Sequence, residues 1–285
     1  MTRSILLHIG MHKCGSTYLQ QVLLRNRAAL AAAGIAYPHD GSGHPGNAAG
    51  IESASARRLA ALFGPHERLA LSFEDLITSG PRARPFARAA AEIGAEVHLI
   101  AFIRPFSEII FGDYSQMMKQ HHRAYIEAGA AYGGKGFEQF VVARARQMTP
   151  RGWLRGWRNV LPQARFTLAS HRAIRATVEP LLAPAALDWE VPRHLTNPSL
   201  RTEDCDRIAA MIESGAAGAG QIVEAVKTAL HRPSQPDAGR TPERVAWIEA
   251  VFEHHNAALQ EEFGYDNRLP APRVTPSHGT AERVA

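Results

Sequence analysis

The sequence predicts an α/β fold: a parallel central sheet flanked by helices, with a mostly helical C-terminal part. Three observations predict it. A short apolar run of strand length, Ser4 to Ile9, passes into a glycine loop and then into a helical pattern with Leu19, Val22, Leu23 and Leu30 on one face. Two further apolar runs, "RLALSF" at 68–73 and "VHLIAFI" at 97–103, are separated by the helical stretch "RPFARAAAEIG" at 84–94. Near-continuous apolar strands alternating with helices are the signature of a parallel sheet covered on both faces.

The elements follow in order. Gly34 stands where the first helix needs a left-handed C-cap. The glycine-rich polar stretch "HDGSGHPGNAAG" at 39–50 is a loop. Beyond the third strand a helix is expected from about Ser107 to His121, broken by "AGAAYGGKG" at 128–136. Trp153 and Trp157, four apart, share one helix face and are expected in the core. "RFTLAS" at 165–170 is a fourth strand, and helices are expected over 202–214, 219–230 and 241–262. The proline-rich end, 268–285, is expected to be a disordered tail, leaving a single domain over 1–267. Ligands of such sheets bind at the carboxyl ends of the strands. Attention therefore falls on the loop at 10–17, on Ser72 to Asp75, and on Arg104 onward.

Composition narrows the function classes. The formal net charge of +5 favours anionic partners, but no basic run of five or more occurs, and neither a C2H2 nor an RNP1 pattern supports nucleic-acid binding. Cys14 and Cys205 form no disulfide framework or C-x-x-C metal pair, which suits a reducing cytoplasm. No stretch of eighteen apolar residues predicts a membrane span. His121–His122 and His254–His255 lack zinc spacing and are expected on helix surfaces, so no metal is expected. Basic residues are overwhelmingly Arg; the few lysines are Lys13, Lys119, Lys135 and Lys227. A lysine inside a glycine loop therefore carries information, as a compact, mobile point charge.

That loop, "GMHKCGST", has the glycine spacing of a phosphate-binding loop in Gly10 and Gly15. A nucleoside-triphosphate loop places its lysine directly after the second glycine. Here Ser16 stands there and the lysine is Lys13. A helix beginning at Ser16 and Thr17 would aim free backbone N–H groups and the positive end of its dipole at an anion.

With these residues in view, the chain resembles the sulfotransferases that use 3′-phosphoadenosine-5′-phosphosulfate, in particular their bacterial branch. "GMHKCGSTYLQ" resembles their 5′-phosphosulfate loop, with Cys14 where Thr or Ser is usual, and "LIAFIRPFSEIIFGDYSQ" resembles their strand, arginine and helix for the 3′-phosphate. The resemblance implies a donor site of His12, Lys13, Cys14, Gly15, Ser16, Thr17 and Arg104. The family's serine eight residues after that arginine is replaced by Gly112, so Ser115, Ser107 or a backbone amide near Gly112 must serve; Ser115 is the first expectation. It also implies catalysis by Lys13 at the bridging oxygen and a general base, Glu74 first and His44 second, with 3′,5′-adenosine bisphosphate as product and no metal. The acceptor would be a hydroxyl or amine on a carbohydrate, lipid or small metabolite. Two other readings stay open: a divergent kinase or NTPase, which would need a lysine after Gly15 and an acidic Mg²⁺ ligand such as Glu74 or Asp75, and a non-catalytic anion- or nucleotide-binding module of the same fold.

Overall fold

A computed structural model describes residues 3–232 and 235–270. Five parallel strands form one sheet in the order β2-β3-β1-β4-β5: β1 (Arg3–His8), β2 (Ile35–Ala36), β3 (Arg68–Ser72), β4 (Ala95–Ile103) and β5 (Arg165–Ser170). The first two pairings run Ile5 opposite Leu69 and Ile5 opposite Val97, so β1 is central and its apolar residues meet neighbours on both sides. Ile5, Leu7, Leu99, Ile100 and Phe102 are buried, as strands covered on both faces must be.

Among the described residues twelve α-helices flank and extend the sheet: α1 (Ser16–Arg25), α2 (Arg27–Ala32), α3 (Ala56–Phe63), α4 (Arg84–Glu92), α5 (Phe106–Ala128), α6 (Phe137–Gln147), α7 (Pro150–Val160), α8 (Ile174–Leu182), α9 (Thr202–Ser214), α10 (Ala219–Leu230), α11 (Pro242–Val251) and α12 (Glu253–Phe263). The expected strands and most helices are present. Differences have local causes. The first helix divides at Asn26, whose side chain donates to Val22 O and Asp188 O and turns the chain. The stretch 241–262 divides at Phe252, which is buried against Phe106. β2 is two residues long, too short for periodicity to reveal. His255 is half-buried, its Nε2 2.9 Å from Ala145 O, instead of lying on the surface. Trp157 is fully buried and donates from Nε1 to Leu76 O at 2.7 Å, which ties α7 to the turn carrying Glu74. Arg268, the first residue of the expected tail, pairs with Glu253 and with Asp266 at 3.1 Å; residues 271–285 lie outside the described part.

The chain leaves β1 toward β2 and β3 on one side, and leaves β4 toward β5 on the other. The crevice at the carboxyl ends of β1 and β4 is thus the topological switch point, where α/β sheets bind ligands. Among the described residues no helix is long and apolar enough to cross a membrane.

Candidate active site

The loop after β1 holds its shape through positive φ angles. Gly10 has φ 58°, and a Cβ there would collide with the Glu74 backbone, so the loop can lie directly on the turn that follows β3. Lys13 has φ 63° despite its side chain, an uncommon conformation for a residue with a Cβ. Gly15 has φ 89° and precedes α1 without a side-chain cap. The first-turn amides of α1 lack intrahelical partners and face the crevice with the dipole behind them. Ser16 Oγ is buried and has no partner among the described residues. Cys14 is buried, its thiol pushed up to about 12 by burial, so it offers a ligand its backbone and not a thiolate. His12 is exposed and lies 3.9 Å from Asp75. Thr17 is half-buried on the first turn.

Lys13 reaches across to α5. Its stem passes so close to Gly112 that a Cβ there would meet Cγ at 3.1 Å, and its Nζ donates to Gln116 Oε1 at 2.7 Å. The small residue at 112, where the family resemblance calls for serine, makes room for this lysine. Burial lowers the Lys13 pKa; Asp113 and Glu74 pull the other way and Arg104 adds to the lowering. An ammonium that is partly dehydrated and, among the described residues, has no carboxylate in direct contact is suited to meet an incoming anion.

Glu74 and His44 meet. Gln20, fully buried on α1, donates from Nε2 to Glu74 Oε2 at 2.8 Å, and His44 Nε2 is 3.6 Å from Oε1. The amide of Gly46 donates to His44 Nδ1 at 3.0 Å, which assigns the proton of the neutral ring to Nε2, facing Glu74. Asn47 delivers the loop to this place. β2 pairs only with Arg68 and Leu69; Asn47 then takes over the free edge of β3, donating to Ala70 O at 3.0 Å and accepting from Ser72 N at 2.9 Å. Beneath, His8 is buried with Nδ1 2.8 Å from Ser72 Oγ, and burial pushes its pKa down to about 4.

Arg104 ends β4. Its carbonyl accepts from Asn267 Nδ2 at 3.1 Å, and its Nε is buried without a hydrogen-bond partner, 3.5 Å from Glu108 Oε2. Glu108 also binds Arg172 at 2.6 Å and faces His171 at 3.5 Å; burial, then Arg104, push His171 down to about 4. Two guanidiniums share one carboxylate here, leaving net positive charge. Ser115 does not join Arg104. Its hydroxyl accepts from Leu200 N at 2.6 Å, and from Phe106 to Ser115 the helix rises about 14 Å. Ser107, one residue into α5, is buried and its amide donates to Glu249 Oε1 at 2.8 Å.

The structure therefore gathers Lys13, Ser16, Thr17, Arg104, Glu74 and His44 about the switch point and leaves Cys14 and Ser115 turned inward. Sequence reasoning missed Gln20, Gln116, Asn197 and Arg172. Gln20 and Gln116 close the two motif stretches and Arg172 follows β5, but nothing in their spacing marks them as polar partners of the site, and only the fold brings them and Asn197 in. Among the described residues no group of three or more His, Cys, Asp or Glu side chains could hold a metal. No protein-family model and no curated protein matches the chain.

Proposed function

We propose that this chain transfers a sulfuryl group from 3′-phosphoadenosine-5′-phosphosulfate to a hydroxyl or amine of an acceptor. The observation that carries this reading is the placement of Lys13: it rises from inside the glycine loop, left-handed, and reaches α5 at Gly112 and Gln116. A terminal phosphoryl group carries two negative charges and calls for Mg²⁺ and a lysine after the second glycine. A sulfuryl group carries one, and what needs stabilising is the phosphate oxygen from which it departs. A lysine within the loop is suited to that bridging oxygen, where it acts mainly in the transition state.

The other roles follow. Backbone amides at Ser16 and Thr17 hold the 5′-phosphate, and Arg104 with Arg172 attracts the 3′-phosphate. Glu74, oriented by Gln20 and His44, takes the acceptor proton as the new O–S bond forms and the bridging S–O bond breaks. His44, with its proton directed at Glu74, positions that carboxylate. The products are the sulfated acceptor and 3′,5′-adenosine bisphosphate. The test is transfer of ³⁵S from labelled donor to a panel of hydroxyl and amine acceptors in EDTA. Label appearing in an acceptor supports the reading; transfer of ³²P from γ-labelled ATP with Mg²⁺, and none of ³⁵S, assigns the site to phosphoryl transfer.

A further inference from the structure

A second cation stands close to Lys13. Gln116 Oε1 accepts from Lys13 Nζ at 2.7 Å and from Asn197 Nδ2 at 3.3 Å, and Asn197 Oδ1 accepts from Lys119 Nζ at 2.7 Å. Three hydrogen bonds thus join two lysines through neutral amides. Lys119 donates once more, to Pro198 O at 2.9 Å, which leaves one of its three N–H groups for a ligand. Among the described residues neither lysine has a carboxylate as hydrogen-bond partner; their partners there are Gln116, Asn197 and Pro198. Burial, and then Lys13, lower the Lys119 pKa to about 8. Two ammonium groups sharing a partly dehydrated corner repel one another, and an anion placed between or beside them removes that repulsion.

The direction of α5 says whose anion it is. The helix starts beside Arg104, passes Lys13 at Gly112 and reaches Lys119 seven residues later, about 10 Å farther along its axis. In the proposed donor site the nucleotide lies toward Arg104. Lys119 is on the opposite side of Lys13, where an acceptor must approach.

We infer that Lys119 and Asn197 form an acceptor subsite for an anionic group, a carboxylate or a sulfate ester, so that the acceptor is itself an acidic molecule. This rests on the proposed donor site for its orientation. With the donor's phosphosulfate on Lys13, a neutral alcohol would still leave the Lys119 ammonium uncompensated, whereas an acid bound at Lys119 would bring its nucleophile toward Lys13.

The probe is inorganic sulfate, titrated calorimetrically at constant ionic strength into the full chain saturated with 3′,5′-adenosine bisphosphate. Wild type should bind one sulfate; Lys119→Ala and Lys119→Gln should weaken it at least about tenfold, the size of one lost charge-assisted hydrogen bond, and Lys119→Arg should keep it within about threefold. Bisphosphate affinity should be the same in all three variants, which shows them folded. Failure of sulfate to bind wild type overturns the inference. Equal sulfate affinity in Lys119→Ala also overturns it, that being the result for a sulfate lodged beside Lys13 alone. Failure of the bisphosphate to bind is a separate result, against the donor site; the sulfate titration without nucleotide then still reads the lysine pair through the same variants.

Discussion

The two ends of the sheet differ in how their charges are used. At the amino ends, a cavity of about 690 Å³ is lined by Ile35, Leu69, Ala90, Val97 and Leu161, with Arg68 and His98 at its polar edge. Its polar groups are engaged: Arg68 donates to Ala183 O at 2.7 Å and to Leu181 O, and His98 Nε2 lies 2.8 Å from Thr167 Oγ1. At the carboxyl ends, His8 Nε2, Ser16 Oγ and Arg104 Nε are buried without hydrogen-bond partners among the described residues, Arg104 having only the ion pair with Glu108, and Lys13 and Lys119 rest on neutral amides. The hollow is at one end and these three atoms are at the other; further buried polar atoms without hydrogen-bond partners, such as Glu52 Oε2 and Asn256 Oδ1, lie elsewhere among the described residues. A buried polar group without a partner is unfavourable unless something else meets it, so such groups standing beside a glycine loop at the switch point mark a site more directly than volume does.

Substitutions at the two ends should therefore separate. The largest effect is expected at the carboxyl end: Lys13→Ala should lower turnover by about 10²–10³-fold, the scale of losing one transition-state donor, with little change in melting temperature. A near-wild-type rate would remove Lys13 from the chemistry. Glu74→Gln should lower turnover by about 10²-fold and leave bisphosphate affinity intact, while His44→Ala should lower it less than about tenfold. The reverse order would make His44 the base.

A pair of glycines compares the ends by stability. Gly10 (φ 58°) and Gly94 (φ 65°) are both left-handed, but a Cβ at Gly94, just before β4, meets nothing within 4 Å, whereas at Gly10 it meets the Glu74 backbone. Gly94→Ala should destabilise by about 1 kcal/mol and Gly10→Ala by roughly 3 kcal/mol or more, measured by denaturant unfolding. Equal losses would mean that the loop is not braced on Glu74.

The buried His8 gives a pH test. Its folded pKa, about 4, lies below the ordinary 6.5, so between these values the unfolded chain takes up a proton that the folded chain refuses. Stability should fall as pH drops from about 6.5 to about 4, by roughly 3 kcal/mol from this residue, and His8→Asn should flatten that part of the profile. An unchanged slope would mean that His8 is not buried neutral. The smallest effect belongs to the amino end, where Arg68→Ala should leave turnover unchanged and destabilise by about 1 kcal/mol through two lost hydrogen bonds.

Much of this was legible in the sequence because it is local. The loop and strand ends announced themselves through glycine spacing and apolar runs, and Lys13 in the loop after β1, Glu74 just past β3 and Arg104 directly after β4 all stand at the carboxyl ends of strands. What stayed hidden depends on distant contacts. Gly112 gave no hint that a lysine stem lies over it, Ser115 looked available until Leu200 was seen to use its hydroxyl, and Gln116 and Asn197 are 81 positions apart. Periodicity reports which face of an element is buried, and says nothing about which neighbour buries it.

The central claim is tested most directly by calorimetric titration of the purified chain with 3′,5′-adenosine bisphosphate in EDTA, beside ATP with Mg²⁺. Micromolar binding of the bisphosphate without metal, with ATP and Mg²⁺ much weaker, is the predicted result. Preference for ATP with Mg²⁺ would contradict it and make the loop a divergent phosphoryl-transfer site.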